Sequence, residues 1–248
     1  MAKEKKILLL FILTLFLSCK KENRCDCFTG TGSIVKESRE INNFYFVKVY
    51  DNINLILTQD TVNKIEVEAG KNLLPNIKTE INNNTLSISN NNKCNWVRSF
   101  KKQINVYLSV KNLYYLGCRT SGNIISTNTI ITPDTFSIEG RNSSCSIKLT
   151  INTKKSFIRM HTGAQDVTIN GIVDKNYMYA AGNAFIDCRN LIANNTEINH
   201  RCSGDFFAYG KNSLGGDFTG NGNLYYYGNP FLINIKHPNG KGKLINGD

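Results

Sequence analysis

Several things are scarce in this chain, and each scarcity closes off a class of function. Proline occurs 4 times and tryptophan once in 248 residues, and alanine is rare. No segment keeps a helical apolar period over three turns, so a helical bundle is excluded. The three histidines, His161, His200 and His237, stand apart from one another and from any cysteine pair, and there is no CxxC. That argues against a zinc site. No RTX-like nonapeptide is present, so calcium is not expected at the Asp and Asn corners. Acidic residues are outnumbered 19 to 30 by Lys and Arg, for a formal charge of +11. Yet no basic run in the body of the chain exceeds Lys101-Lys102 or Lys154-Lys155, and no aromatic-interleaved nucleic-acid motif accompanies them. The charge reads as a solvated basic surface, with no nucleic-acid partner. Long apolar runs are missing too: Ile7 to Leu17 is too short to span a bilayer comfortably.

That short run follows Lys3, Lys5 and Lys6 and precedes Ser18-Cys19, the order of a secretory signal ending in a lipobox. Cleavage before Cys19 would leave it acylated, and several acyl chains give stable anchoring at about 0.8 kcal/mol per buried CH₂. Removing Met1 to Ser18 takes away three Lys and one Glu, leaving a charge of about +9. Lys20, not Asp, follows the cysteine, which favours the outer membrane. The expected location is the outer membrane, on its periplasmic or its surface-exposed side. The expected organisation is a signal peptide over 1–18, a lipidated Cys19 with polar tether over 19–40, a β-rich head over 41–112, and repeats with a closing strand pair over 113–248.

Asn, Thr, Ser, Ile and Tyr dominate the body, a mixture of strand and turn formers that makes the chain all-β. Strands are expected at 44–51, 53–60, 63–70, 85–90 and 103–110, with a break at Asp51-Asn52 and a turn at Asn82-Asn83-Asn84. The loop 90–102, holding Trp96, Arg98 and Phe100, interrupts them. From Leu113 a repeat emerges: a small or polar cluster, then an apolar–x–apolar strand. Ile124, Ile147, Val167, Phe185, Phe206 and Leu224 are its inward positions, at intervals of 23, 20, 18, 21 and 18 residues. A period of about 20 marks a stacked solenoid. One coil has no core, but coils stacked about 4.8 Å apart pair every strand and align inward side chains. Second short strands fall at 135–140, 156–161, 177–182 and 197–202. A polar corner ladder of Asn123, Ser146, Asp166, Ala184, Asp205 and Asn223 runs beside the inward one. The fold class is therefore all-β: a right-handed β-helix-like solenoid behind a β-rich N-terminal part.

The lipobox, the strand pair around "VYDNINLILTQD", the Ser-Gly-type repeats and the ending "GNGNLYYYGNP" together resemble the family called putative auto-transporter adhesin, head GIN domain, common as lipoproteins of Bacteroidetes-type bacteria. The resemblance covers roughly 40 to 245. In place of Gly-Ile-Asn the chain has Asn52-Ile53-Asn54, where Asn can also take the left-handed conformation. The resemblance implies a solenoid fold and no catalytic residues or cofactors.

The expected function is a non-catalytic binding or structural module on the cell envelope, meeting the membrane through its lipid anchor and presenting flat faces to glycans or envelope proteins. The alternative is a β-helix carbohydrate-active enzyme, a polysaccharide lyase or glycosidase. Its carboxylates would be Asp166, Asp187, Asp205 and Asp217, with Asp166 and Asp205 two coils, about 10 Å, apart. In "FTGNGNLYYYGNP", alternation puts Tyr226 inward with Leu224 and turns Tyr225 and Tyr227 outward. These two, extended by Phe207, are the candidate ligand contacts, with mutual ring stacking as the plainer alternative. Pro230 would close the last full coil. Thr61, in Asp60-Thr61-Val62, is a candidate O-glycosylation site. With Cys19 acylated, Cys25, Cys27, Cys94, Cys118, Cys145, Cys188 and Cys202 remain, an odd number. Cys145 and Cys188 read as small buried apolar residues.

Overall fold

A computed structural model describes residues 30–93, 103–236 and 240–248. Cys19 therefore lies outside the described residues, as do Cys25, Cys27, Cys94, Trp96, Arg98, Phe100 and His237. The described chain is nearly all strand, arranged as a β-solenoid of about six turns behind a strand-rich head.

The head holds β1 (Ile34–Arg39), β2 (Phe46–Asp51), β3 (Ile53–Gln59), β4 (Lys64–Gly70), β5 (Ile77–Asn82), β6 (Thr85–Asn90) and β7 (Ile104–Val110). The expected strands are found, and β1 and β5 join them. β1 lies inside the stretch assigned to the tether and pairs antiparallel with β4, Val35 opposite Ala69. The turn between β5 and β6 has Asn83 and Asn84 both at positive φ, the geometry of a tight hairpin turn. The break before β3 is made by Asp51, at φ 64°, and not by Asn52. The Asp51 carboxylate accepts the Asn90 backbone N–H at 2.8 Å, which offsets part of the strain.

The repeats follow as β8 (Tyr115–Thr120), β9 (Asn123–Ile131), β10 (Thr135–Gly140), β11 (Ser146–Met160), β12 (Asp166–Gly182), β13 (Phe185–Cys188) and β14 (Leu191–Cys202). The last coils are β15 (Phe206–Tyr209), β16 (Ser213–Phe218), β17 (Leu224–Tyr227), β18 (Leu232–Lys236) and β19 (Leu244–Asn246). Two parallel ladders run the length of the stack. The β2 face joins β6, β2, β8, β10, the second half of β11, the second half of β12, β14, β16 and β18. The β3 face joins β7, β3, β9, the first halves of β11 and β12, β13, β15, β17 and β19. The short strands expected at 156–161, 177–182 and 197–202 are the second halves of long bent strands. Gly171, at φ 118°, makes one such bend, where an added Cβ would meet the Ile151 carbonyl oxygen at 1.9 Å.

Alternation explains why these residues fold this way. Burial in β7 switches strictly between buried and half-buried along INVYLSV. Ile124, Ile147, Val167, Phe206 and Leu224 are all inward, as expected, and fully buried. Phe185 is not: Ile186 pairs with Val167 and with Phe206, while Phe185 is half-buried one residue earlier. The spacing becomes 23, 20, 19, 20 and 18 residues, more even than with Phe185. The Phe ring had suggested the inward slot, but Ala184 already fills the neighbouring inward space and Ile186 carries the register. The corner ladder accordingly continues through Phe185 and not Ala184. Each large inward side chain stabilises the fold by about 1.5–3 kcal/mol.

The chain also does not stop stacking at Pro230. β18 pairs in parallel with β16, and β19 with β17, so the closing pair adds a further level. The Tyr-rich stretch is thus not the last coil.

Candidate functional site

On the β3 face the outward rows gather the three aromatic residues singled out above. Phe207 and Tyr225 are register partners, and their rings stack with centroids 4.6 Å apart and planes 5° from parallel. Phe185 packs on Phe207 from the preceding coil at 5.2 Å. Arg189, just after β13, lies over Phe207 at 4.2 Å and reaches Tyr227 at 5.6 Å. Its Nε donates to both carboxylate oxygens of Asp187 at 3.0 Å, which raises the guanidinium pKa further. Leu224 is buried and Tyr226 packs partly against the core. The rings of Phe207 and Tyr225 cover one another, so this cluster offers a ligand mainly ring edges and the Arg189 cation, not a bare aromatic platform.

The β2 face differs. Along it runs a groove of about 460 Å³ crossing five coils. Four spacings of about 4.8 Å give it a length near ~19 Å. One rim is the row Lys155, Lys175, Asn195, Ser213, Leu232; the other is Phe157, Tyr177, Glu197, Gly215, Asn234. Between them lies the inward-dipping row Ser156, Asn176, Thr196, Leu214, all buried. The groove exists because Gly215 puts no side chain where its neighbours in the row carry a ring, a carboxylate or an amide. A Cβ there would meet only the Asn234 carbonyl oxygen, at 3.7 Å. Asn176 is 3 % exposed. Its Oδ1 accepts from Ser156 Oγ at 2.8 Å, and its Nδ2 has no hydrogen-bond partner among the described residues. Sequence reasoning found none of this. The available signal was the Gly215-Gly216 pair in a strand, which marks a close approach or a gap.

A larger hollow of about 860 Å³ sits beside β1 in the head. Two of its charged groups, Arg39 and Glu66, are already engaged. Arg39 donates to Glu37 and to the carbonyls of Ile77 and Leu74, and Lys36 holds Glu66 at 2.9 Å.

The four aspartates of the enzymatic alternative are not brought together. Asp166 pairs with Phe185 on the β3 face, and Asp205 lies two coils beyond Asp166, accepting the Asn223 backbone N–H at 2.6 Å. Asp187 is committed to Arg189, and Asp217 stands on the β2 face beside Asn199 and Lys236. Among the described residues no group of three or more His, Cys, Asp or Glu is placed to hold a metal ion. The asparagine of Asn52-Ile53-Asn54 does bridge coils: Asn54 Nδ2 donates to Asn105 Oδ1 at 2.9 Å, and its Oδ1 accepts from the Asn123 backbone at 2.8 Å. Thr61 is exposed in the turn after β3, its backbone N–H donating to Asp60 Oδ1 at 2.6 Å.

Cys118, Cys145, Cys188 and Cys202 are free thiols buried in the core, as expected of Cys145 and Cys188. The hydrogen bond that Cys118 donates to Cys145, together with burial, pushes the Cys118 thiol up. Burial pushes Cys202 up to about 11 and raises Cys188 as well. These three protonated sulfurs serve packing, whereas the hydrogen bond accepted from Cys118 pulls the Cys145 thiol down. His200 is buried between Phe206 and Phe218, with ring centroids at 4.3 and 4.8 Å, and burial pulls its pKa down to about 4.

The fold and these faces are those of a stacked-coil surface module. The family model for "Putative auto-transporter adhesin, head GIN domain" matches residues 43–230, and the chain belongs to that family. A structure described as a putative adhesin from Bacteroides fragilis is 17 % identical with a TM-score of 0.79, over 88 % of this chain and 99 % of that one. A putative adhesin from Parabacteroides merdae is 16 % identical, with a TM-score of 0.67 over 88 % and 98 %. A protein from Parabacteroides distasonis described as a putative lipid binding protein is 17 % identical, with a TM-score of 0.62 over 88 % and 98 %. At such identities the likeness establishes the fold. No functionally curated protein matches the chain.

Proposed function

We propose that this chain is a non-catalytic adhesin-type module, held on the outer membrane by acyl chains on Cys19, whose ladder faces bind glycans or envelope proteins. One observation carries the reading. Side chains on the two long faces stand in register over consecutive coils, so each face offers a position for contact about every 4.8 Å, a spacing that suits an extended partner. Family membership and the names of the structural relatives support it. The cluster of Arg189, Phe207, Tyr225 and Tyr227 is a contact surface in this reading, and Thr61 in its exposed turn is a glycan attachment site.

The anchor is tested by labelling producing cells with an alkynyl fatty acid. The wild-type chain takes up label and partitions with the outer membrane, and Cys19→Ala does neither; label retained by Cys19→Ala would sink the anchor. Adhesion of the producing cells to glycan-coated and envelope-coated surfaces tests the binding role. Adhesion equal to that of cells lacking the chain would refute it. Intact mass of the exported chain with and without Thr61→Ala tests the modification.

A further inference from the structure

We propose that the groove on the β2 face is a binding site for a carboxylate-bearing polysaccharide chain, a proposal that rests on the binding role above and names its ligand class. Two observations converge. Lys155 and Lys175 are register neighbours on one rim, and neither has a carboxylate partner among the described residues. Two adjacent ammonium groups in one coil-spaced row are unfavourable alone and favourable over an anionic polymer. On the opposite rim Phe157 and Tyr177 are tilted, with ring centroids 6.0 Å apart, so they do not cover each other as Phe207 and Tyr225 do. Arg159 lies over Phe157 at 5.5 Å, while Tyr177 leaves apolar surface for the C–H face of a sugar ring.

The remaining groups fit the same ligand. Glu197 and Asn195, register partners of Tyr177 and Lys175, accept from and donate to hydroxyls. The missing side chain at Gly215 gives a ring room to lie against the strand backbone at Gly215 and Gly216. The groove is open at the surface and crosses five coils, so it takes an internal stretch of a chain and needs no terminus. An acidic peptide would satisfy the lysines, but its backbone would leave the Tyr177 surface and the hydroxyl-matched amides without specific partners.

Calorimetric titration of the full chain with oligogalacturonate, its methyl ester and polyglutamate tests this. The expected result is saturable binding of oligogalacturonate that weakens with salt, with the ester and polyglutamate weaker. Lys155→Glu combined with Lys175→Glu should cost roughly tenfold in affinity. Gly215→Leu should abolish binding by filling the groove, with an unchanged melting transition showing the fold intact. Equal binding of polyglutamate, or oligogalacturonate binding that survives both variants, or no oligogalacturonate binding, would each overturn the proposal. Cell adhesion that persists in Gly215→Leu would place the adhesive surface elsewhere and leave the module's general role standing.

Discussion

The β2 and β3 faces are built by the same rule and end up with opposite surfaces. On the β3 face, successive coils put Phe185, Phe207 and Tyr225 close enough to pack on one another, and the rings satisfy themselves. On the β2 face, the equivalent outward row runs Phe157, Tyr177, Glu197, Gly215, Asn234, and the glycine breaks it. In a stack of coils, a continuous row of large side chains closes a surface, while one omitted side chain opens a groove. The largest aromatic cluster is therefore not automatically the best ligand site.

The sharpest way to break this comparison is at adjacent glycines. Gly216 has φ 121° and an added Cβ would meet the Ile198 carbonyl oxygen at 1.9 Å, so Gly216→Ala should cost about 3 kcal/mol or more. Gly215→Ala should stay within about 0.5 kcal/mol. Denaturant unfolding of the two variants measures the difference, and similar losses would mean that Gly215 is structural and the groove incidental.

A smaller effect probes the core that both faces share. His200 has a folded pKa of about 4, below its unfolded value near 6.5, so its neutral form contributes stability that is fully present above that unfolded value. This contribution is lost as pH falls through about 4, a swing of about 3 kcal/mol at most. The groups bearing on the ring include Cys202, with Sγ 4.0 Å from Nδ1, and the carboxylate of Asp205. Unfolding followed from pH 7 to 4 should show His200→Phe losing less stability than wild type; parallel curves would refute the assignment.

Smaller still is the self-closure of the β3 face. A double-mutant cycle on Phe207→Ala and Tyr225→Ala should give a coupling of about 0.5–1.5 kcal/mol. Arg189→Ala, which removes an exposed cation over Phe207, should cost about 0.5–1 kcal/mol. Zero coupling between the two rings would mean the face is looser than its geometry, and the contrast with the groove would fade.

Much of the fold was legible in particular residues. Ile124, Ile147, Val167, Phe206 and Leu224 revealed the inward row because a side chain in a strand has only two directions, and Asn83-Asn84 announced a hairpin. Phe185 misled because size alone suggested an inward slot, whereas pairing to Val167 and Phe206 selects Ile186. The site was less legible. Alternation turned Tyr225 and Phe207 outward, but only their register shows that they stack. The groove left no motif, because its rims come from coils about twenty residues apart.

The sequence by itself determined that this is an all-β solenoid of stacked coils: strand periodicity and near-constant repeat length are local properties that only lateral stacking can satisfy. The tertiary structure alone decided the order of stacking and what each face exposes. β6 and β7 stack on one side of β2 and β3, while β8 and β9 stack on the other, so the strand pair containing Asn52-Ile53-Asn54 is enclosed by segments that follow it in the chain. Such pairings depend on hydrogen-bond partners distant in sequence, and so does the empty place at Gly215. A missing side chain becomes a groove only when its neighbours in the next coils line up beside it.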